Sequence, residues 1–296
     1  MLFALVSNGA LLTPQQPDTT VPWWSFTKTV LAAAALSLVR DRLIDLDDTV
    51  PEGPFTLRQL LRHEAGLADY SELADYHAAV ARNETPWPAD EMLQRLDASR
   101  LRYTPGDGWR YSNVGYLFVA RLIERVTGLP LEVALTQRVL APLNLSRVRL
   151  ATTRMDLQGV TMGIATTYDP AWVYHGLLVG PLEDAALCLD RLLAGHLLPL
   201  ELLQEMQTVR ALGGPIPGRP WASPGYGLGL MRGAEKGGLT LSGHTGAGPG
   251  SVVAVYHSVS DAQPIMCCAV FAEGVDEGAV ESEVVKHLTD IVGVSA

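Results

Sequence analysis

The sequence predicts an α+β fold in which an antiparallel sheet, flanked by helices, is built from both chain ends and packs beside a mostly helical middle segment. Three patterns predict it: a short apolar strand near the N-terminus, a long central region of helical periodicity, and short strand-like runs near the C-terminus. We place the discontinuous sheet domain at residues 1–50 plus 211–296 and the helical domain at residues 51–210.

The predicted elements follow one another without a repeat or a low-complexity tract. Residues 2–7 suggest a strand and residues 25–41 a long helix. Further helical patterns lie near residues 56–64, 89–98, 113–127, 131–141, 183–194 and 200–209. A Gly- and Pro-rich stretch at 213–218 ends this region. Strand-like runs at 226–232, 238–243, 251–257 and 265–272 then precede an amphipathic ending from about 277 to 292.

Composition excludes several classes of protein. With 296 residues, 48% of them hydrophobic, the chain can bury a sizeable core and is not a disordered chain. A formal net charge of -10 argues against a nucleic-acid partner, because binding phosphate needs clustered Lys and Arg. Cys267 and Cys268 are adjacent on a predicted strand and point to opposite faces, so a framework of disulfides with Cys188 is not expected.

The N-terminal residues carry a very short apolar run, no basic segment and no clear cleavage site. A secretory signal or a membrane anchor is therefore unsupported. We expect a cytoplasmic protein.

Ser25 and Lys28 form the only Ser-x-x-Lys in a chain whose lysines are Lys28, Lys236 and Lys286. Three residues apart at the start of a helix, the hydroxyl and the amine lie on one face, within reach of each other. Burial disfavours the ammonium form, so a neutral amine can take the serine proton, and the helix N-terminus favours the resulting anion. The pair therefore predicts covalent chemistry.

A simpler interpretation of the pair is a helix N-cap followed by a solvated lysine. The helix that Lys28 opens, however, looks buried nearly all round, and an ordinary solvated lysine is not expected there. This context favours the nucleophile and base.

Two more motifs follow downstream, Tyr111-Ser112-Asn113 and His244-Thr245-Gly246, the latter in a glycine-rich stretch. With all three motifs the chain resembles the serine β-lactamase and penicillin-binding protein superfamily, in particular the branch of class C β-lactamases, DD-peptidases, D-aminopeptidases and related esterases. The resemblance spans almost the whole chain and includes weaker phrases at Leu46-Asp47-Asp48, Gly66-Leu67 and Ala141-Pro142-Leu143.

The resemblance implies a β-lactamase/transpeptidase-like fold with the catalytic cleft between the two domains. It implies that Ser25 attacks an ester or amide carbonyl and forms an acyl-enzyme, with Lys28 and Tyr111 sharing the proton transfers. Which of these two is the general base stays open, because they titrate as a coupled pair. No cofactor and no metal are expected.

The remaining motif residues take their expected roles from the same resemblance. Asn113 is expected to orient Lys28 and to donate to the amide carbonyl of the substrate; taken alone, it suggests a helix cap, as Tyr111 suggests a core aromatic residue. The backbone N–H groups of Ser25 and Ala247 are expected to form the oxyanion hole. The other expected substrate-binding residues are His244, Thr245 and Gly246.

His244 stands where many members of the superfamily have lysine. Histidine is mostly neutral above a pKa of about 6.5, whereas lysine supplies a permanent cation for a substrate carboxylate. The departure makes peptidase or esterase action more plausible than potent β-lactam hydrolysis. We expect carboxylate-bearing substrates to bind better as the pH falls from about 8 to 5.

The rim of the expected site is also unusual, because bulky residues flank the nucleophile. Trp23 and Trp24 precede Ser25, and Phe26 follows it. Trp109 and Trp221 either extend an apolar wall, which favours a small hydrophobic acyl or ester group, or belong to the core. His63 and His175 are interpreted as structural, since an isolated histidine without a partner motif carries little information.

The sequence thus predicts a serine hydrolase acting through an acyl-enzyme on a small ester, peptide or β-lactam, in the manner of an esterase or a D-amino-acid or DD-peptidase. The alternative is a penicillin-binding-like sensor or scaffold with little or no turnover. No nucleophile elbow, zinc helix, P-loop or paired Cys-x-x-Cys favours another class. The oligomeric state, the deacylating base and the physiological substrate stay open.

Overall fold

The structure is a computed structural model that describes residues 1–14, 19–163, 167–260 and 263–290. An eight-stranded antiparallel sheet takes strands from both chain ends. Its strands are β1 (Leu2–Ser7), β2 (Ala10–Leu11), β6 (Arg210–Ala211), β7 (Trp221–Tyr226), β8 (Met231–Glu235), β9 (Thr240–Gly248), β10 (Ser251–Ser260) and β11 (Gln263–Glu273). They lie in the order β2-β1-β11-β10-β9-β8-β7-β6. The predicted first strand and the antiparallel pairing are confirmed.

The helices lie mainly in the middle of the chain, as predicted. They are α1 (Thr27–Arg40), α2 (Leu57–Leu61), α3 (Ala74–Ala81), α4 (Ala89–Arg95), α5 (Asn113–Thr127), α6 (Leu131–Leu135), α7 (Leu182–Leu193), α8 (Leu200–Gln207) and α9 (Glu277–Asp290). A π-helical turn, Thr136–Leu140, extends α6. The predicted end of the C-terminal helix at residues 291–292 lies outside the described residues.

The large sheet separates two apolar cores. Because side chains alternate along a strand, Val253 and Val255 of β10 face the core that contains α1 and α7, whereas Val252 and Ala254 face α9. Cys267 and Cys268 lie on opposite faces in the same way, and all three cysteines are free and buried. The predicted placement of Cys267 and Cys268 on opposite faces of the strand is confirmed.

A small second sheet fastens the start of α1. It has the order β3-β5-β4, formed by Thr20–Pro22, Leu177–Pro181 and Arg149–Ala151. The Trp23 nitrogen donates to the Leu178 oxygen over 2.8 Å, and the Leu178 nitrogen donates to Thr27 Oγ1 over 3.2 Å. Strand β5 therefore holds the chain on both sides of Ser25.

Two segments differ from the sequence prediction. The run 226–232 is not one strand, because Gly227–Leu230 forms a turn between β7 and β8 in which Gly229 has a φ of +79°. The three short strands of the small sheet were not predicted, since their pairing joins distant parts of the chain. The two-domain division stays a prediction; α7, within 51–210, packs against β1 and β11.

Candidate active site

Ser25 lies in a single 3-10 turn, Trp24–Phe26, that leads directly into α1. Every residue from Val21 to Leu38 is buried except Ser25, which is partly exposed. Trp24 has a φ of +41°, in the left-handed region that is uncommon for a bulky residue. The helix has no side-chain cap at its N-terminus, so Ser25 is not the N-cap of the simpler interpretation.

The hydroxyl of Ser25 contacts both of its expected partners. Lys28 Nζ lies 3.1 Å from Ser25 Oγ, and the Tyr111 hydroxyl donates to the same oxygen over 2.9 Å. Tyr111 comes from the loop before α5, so the contact brings together two segments that are 86 residues apart. The structure thus brings the three predicted catalytic residues into one cluster.

Burial favours the neutral form of both Lys28 and Tyr111, so it shifts their pKa values in opposite directions. Desolvation of Lys28 lowers its pKa from 10.5 to about 7, and the charge of Asp69 opposes that shift. Desolvation also raises the pKa of Tyr111 well above 10. Near neutral pH the amine therefore loses its proton readily while the phenol keeps its own.

His175, interpreted as structural from the sequence, contacts the catalytic amine. Its Nε2 lies 3.1 Å from Lys28 Nζ, and the ring is only 2% exposed. Desolvation holds its pKa well below 6.5, so the ring is neutral near pH 7. No sequence motif marks this residue, because strand pairing in the small sheet carries it to Lys28.

Asn113 lies in the cluster but not in its expected arrangement. Its Nδ2 donates to both carboxylate oxygens of Asp69 over 3.1 Å, and its backbone nitrogen donates to Asp69 Oδ1 over 3.0 Å. Among the described residues no hydrogen bond joins Asn113 to Lys28, so the expected orienting contact is not found. Asp69, which the sequence analysis missed, anchors Asn113 instead.

His244 is buried and neutral. Its Nδ1 donates to the Thr245 oxygen over 2.7 Å, so its Nε2 accepts from the Tyr226 hydroxyl over 2.9 Å. Desolvation lowers its pKa to about 3. The expected gain of a positive charge between pH 8 and 5 was therefore wrong, because a ring in this environment does not titrate in that range.

Thr245 is tied to a polar network behind β9. Its Oγ1 donates to Glu281 of α9 and lies 2.8 Å from the Tyr256 hydroxyl. Glu281, 1% exposed, also accepts hydrogen bonds from Arg219 and from Trp221 Nε1. Trp221 is consequently a core residue and does not extend the wall of the site.

Strand β9 runs directly against the nucleophile turn. A β-carbon placed on Gly246 would lie 2.5 Å from the Ser25 nitrogen, and one on Gly248 would lie 2.5 Å from the Trp24 ring. Glycine is needed at Gly246 because the backbone of the nucleophile turn approaches so closely, and at Gly248 because the Trp24 ring packs against it. Ala247, between them, lines the cleft beside Ser25.

Two cavities meet at Ser25. The first, which we call the aromatic pocket, has a volume of about 370 Å³ and walls that include Trp24, Tyr70, Tyr76 and Tyr168. The second, the charged pocket, has a volume of about 600 Å³, and Asp69, Arg219, Glu277 and Trp109 are among its lining residues. Ser25, Asn113 and Ala247 line both pockets.

His63 packs behind Tyr111, with ring centroids 4.4 Å apart. Its Nδ1 accepts from the Ser112 nitrogen over 3.1 Å, and the ring also contacts Tyr116 and Tyr226. Trp23 is a fully buried core residue.

Two features are absent from the described ranges, a cluster of metal ligands and a membrane-spanning helix. No group of three or more His, Cys, Asp or Glu side chains is arranged to hold a metal ion. No helix there combines the length and the apolar character needed to cross a membrane.

The chain belongs to the Beta-lactamase family, whose model matches residues 1–259. It is 29% identical to a D-aminopeptidase of Brucella anthropi over 251 residues, covering 79% of this chain and 46% of the relative. It is also 29% identical to a lovastatin esterase of Penicillium rubens over 175 residues, covering 49% of this chain and 43% of that protein. The chain thus spans less than half the length of the curated relatives that it matches.

Solved structures support the fold. A D-stereospecific amidohydrolase from Streptomyces superposes with a TM-score of 0.78 at 26% identity, covering 97% of this chain and 93% of the other. A D-amino acid amidase from Ochrobactrum anthropi has the same TM-score at 22% identity, with coverages of 99% and 93%. The β-lactamase/transpeptidase-like α+β fold is confirmed, and family and relatives together support a serine hydrolase.

Proposed function

We propose that this protein is a serine hydrolase that cleaves small amides or esters through an acyl-enzyme on Ser25. The observation that carries the proposal is the pair of contacts at Ser25 Oγ, 3.1 Å to Lys28 Nζ and 2.9 Å to the Tyr111 hydroxyl. A serine is a weak nucleophile by itself, and an adjacent base with a lowered pKa activates it.

In this proposal Lys28 is the general base. A pKa of about 7 leaves about half of the amine neutral near pH 7, so it can accept the Ser25 proton as Oγ attacks the carbonyl. Tyr111, with a raised pKa, stays protonated and relays a proton to the leaving group. The backbone N–H groups of Ser25 and Ala247 bind the oxyanion, and water then releases the acyl group.

The aromatic pocket supports an apolar or aromatic substrate group on one side of Ser25. Among the described residues, its lining includes four large aromatic rings and no Asp, Glu, Lys or Arg. The Trp24 ring is fixed in the wall by its Nε1–H, which donates to Ser251 Oγ over 3.1 Å, and by an edge contact with Tyr168 at 5.5 Å. A charged group placed there would lose hydration without gaining a partner.

The charged pocket supports an amine on the other side. Arg219 is paired with two carboxylates, Glu277 at 2.8 Å and the buried Glu281 behind it, so it offers no free positive charge. Asp69 adds a further carboxylate to the lining of this pocket. Neutral His244 adds no cation. These charges favour a protonated amine over a carboxylate, which agrees with the D-aminopeptidase and D-amino acid amidase relatives. We therefore propose amides or esters of apolar D-amino acids as substrates.

The activity is tested with a p-nitrophenyl ester and with a fluorophosphonate probe detected by intact mass. We expect turnover and a single adduct in the wild type and neither in Ser25→Ala. Ser37→Ala is the matched control, because Ser37 is a buried serine of α1, the helix that follows Ser25, and lines neither pocket. An adduct without turnover indicates a sensor and contradicts the proposal.

The substrate class is tested by comparing D-phenylalanine p-nitroanilide with its L-enantiomer, its N-acetyl derivative and the D-glutamate analogue. We expect the free D-phenylalanine compound to give the highest kcat/KM. Equal rates for the free and the N-acetylated compounds would contradict the amine preference. A higher kcat/KM for a β-lactam than for all four would assign the chain to another branch of the family.

A further inference from the structure

We propose that His175 is a positioning residue whose Nε2 accepts a hydrogen bond from Lys28 and so turns the free electron pair of the neutral amine toward Ser25. The contact of 3.1 Å between Nε2 and Nζ carries the proposal. Its kinetic consequences rest on the proposed function, whereas the contact itself is tested without any substrate.

The amine has few other partners. In the described part of the chain its side-chain hydrogen bonds reach Ser25 Oγ and His175 Nε2, while the rings of Tyr111 and Tyr116 lie 5.0 and 5.7 Å away. A neutral amine has two N–H groups and one electron pair. One N–H on His175 leaves the electron pair available to the Ser25 hydroxyl.

The opposite arrangement would block the reaction. If His175 donated from Nε2–H, the electron pair of Lys28 would be occupied and could not take the serine proton. In the proposed arrangement the proton of His175 is on Nδ1, which is buried and has no hydrogen-bond partner among the described residues, so the hydrogen bond from Lys28 has to outweigh the cost of that unpaired N–H. The Lys28 amine carries N–H in both of its protonation states and can always donate, so Nε2 of His175 is the acceptor.

The position of His175 is rigidly determined. It precedes Gly176, whose φ is +94°, and strand β5, whose Leu178 bonds to the chain on both sides of Ser25. A neutral acceptor also suits the task better than a carboxylate. An anion within about 4–6 Å of Lys28 would raise its pKa by about 1–3 units and keep it protonated.

Other titratable groups also act on Lys28. Asp69 raises its pKa, and the charge of Lys28 lowers the pKa values of His63, His175 and His244. Tyr111, protonated, faces it from the loop before α5. His63 and His244 stay neutral near pH 7. Substitutions at His175 therefore change the environment of Lys28 without altering the charge of these two histidines.

The contact is tested by NMR titration of lysine labelled with ¹³C at Cε. The chain has three lysines, and Lys236 and Lys286 are exposed, so Lys28 is resolved by its low pKa. We expect His175→Glu to raise the Lys28 pKa by at least about one unit, His175→Phe to lower it, and His175→Gln to leave it near the wild-type value. An unchanged Lys28 pKa in both the Glu and the Phe variants overturns the proposal.

Kinetics provide the second measurement. We expect His175→Phe to lower kcat/KM by about 10- to 100-fold, mainly through kcat, and His175→Gln to restore most of it because its Oε1 is again an acceptor. Equal losses in both variants would indicate a packing role and overturn the proposal. His257→Gln, a buried histidine outside both pockets, controls for loss of stability.

The two proposals can fail separately. If the His175 variants shift the Lys28 pKa as expected but the wild type cleaves no substrate, the hydrolase is contradicted and the contact is supported. If His175→Phe does not fold, the comparison of His175→Glu with His175→Gln still decides the question, since both are polar and of similar size.

Discussion

The backbone nitrogen of Ser25 lies only 2.5 Å from the position that a β-carbon on Gly246 would take. The clash is with backbone, so a larger residue must push β9 away from the nucleophile turn. We expect Gly246→Ala to lower kcat/KM by about 100-fold and stability by about 1–3 kcal/mol. Gly214→Ala is the control, because a β-carbon there meets nothing within 4 Å. Unchanged kcat/KM in Gly246→Ala would contradict the predicted oxyanion hole.

The pH profile of kcat/KM reports the state of Lys28. Because the base must be neutral, we expect the rate to rise with pH and to level off above about pH 7. The charge of Asp69 raises the pKa of Lys28, so Asp69→Asn should move the rising limb to lower pH by about one unit. Asp75→Asn, an exposed aspartate, should leave the limb in place. A shift toward higher pH would contradict Lys28 as the base.

Replacing Tyr111 tests its proposed role in proton transfer. Replacing it with Phe keeps the ring beside His63 but removes the hydroxyl that donates to Ser25. We expect kcat to fall by about 10²- to 10⁴-fold with little change in melting temperature. The loss should be smaller for an aryl ester than for an amide, since phenolate leaves without a proton. Equal losses for the two substrates would argue for a purely structural role.

Buried neutral histidines predict acid lability. His63, His175 and His244 have folded-state pKa values below the ordinary 6.5, so below that pH the unfolded chain binds more protons than the native one. Stability should therefore fall as the pH drops from about 6.5 toward 4, by up to about 1.4 kcal/mol per pH unit for each histidine. Urea unfolding of wild type and His244→Gln at several pH values measures the slope. The variant should show a shallower slope; an identical one would contradict the assignment.

Whether a contact could be predicted from the sequence depended on how far apart in the chain its two residues lie. Ser25 and Lys28 are one helical turn apart, so their contact followed from local geometry. Tyr111 and Gly246 were predicted because each belongs to a short motif of the superfamily. The hydrophobic periodicity of the chain does not identify them. The bounds of α5, Asn113–Thr127, match the prediction because Ser112 caps the helix and Gly128 ends it in a left-handed conformation.

The contacts that were missed depend on register between distant segments. His175 reaches Lys28 because β5 pairs with β3, and Asp69 reaches Asn113 across 44 residues of sequence. Neither residue sits in a recognisable motif. The neutrality of His244 could not be predicted either, since it depends on burial and on the nearby charge of Lys28, which comes from a distant part of the chain.

The interior position of Lys28 has a consequence for how such a protein responds to selection. An amine whose pKa falls from 10.5 to about 7 on folding costs the native state on the order of a few kcal/mol below neutral pH. Lys28→Met should thus melt at a higher temperature than the wild type while losing turnover. Selection for thermal stability alone would therefore favour variants that have lost Lys28, and these variants would be stable but inactive.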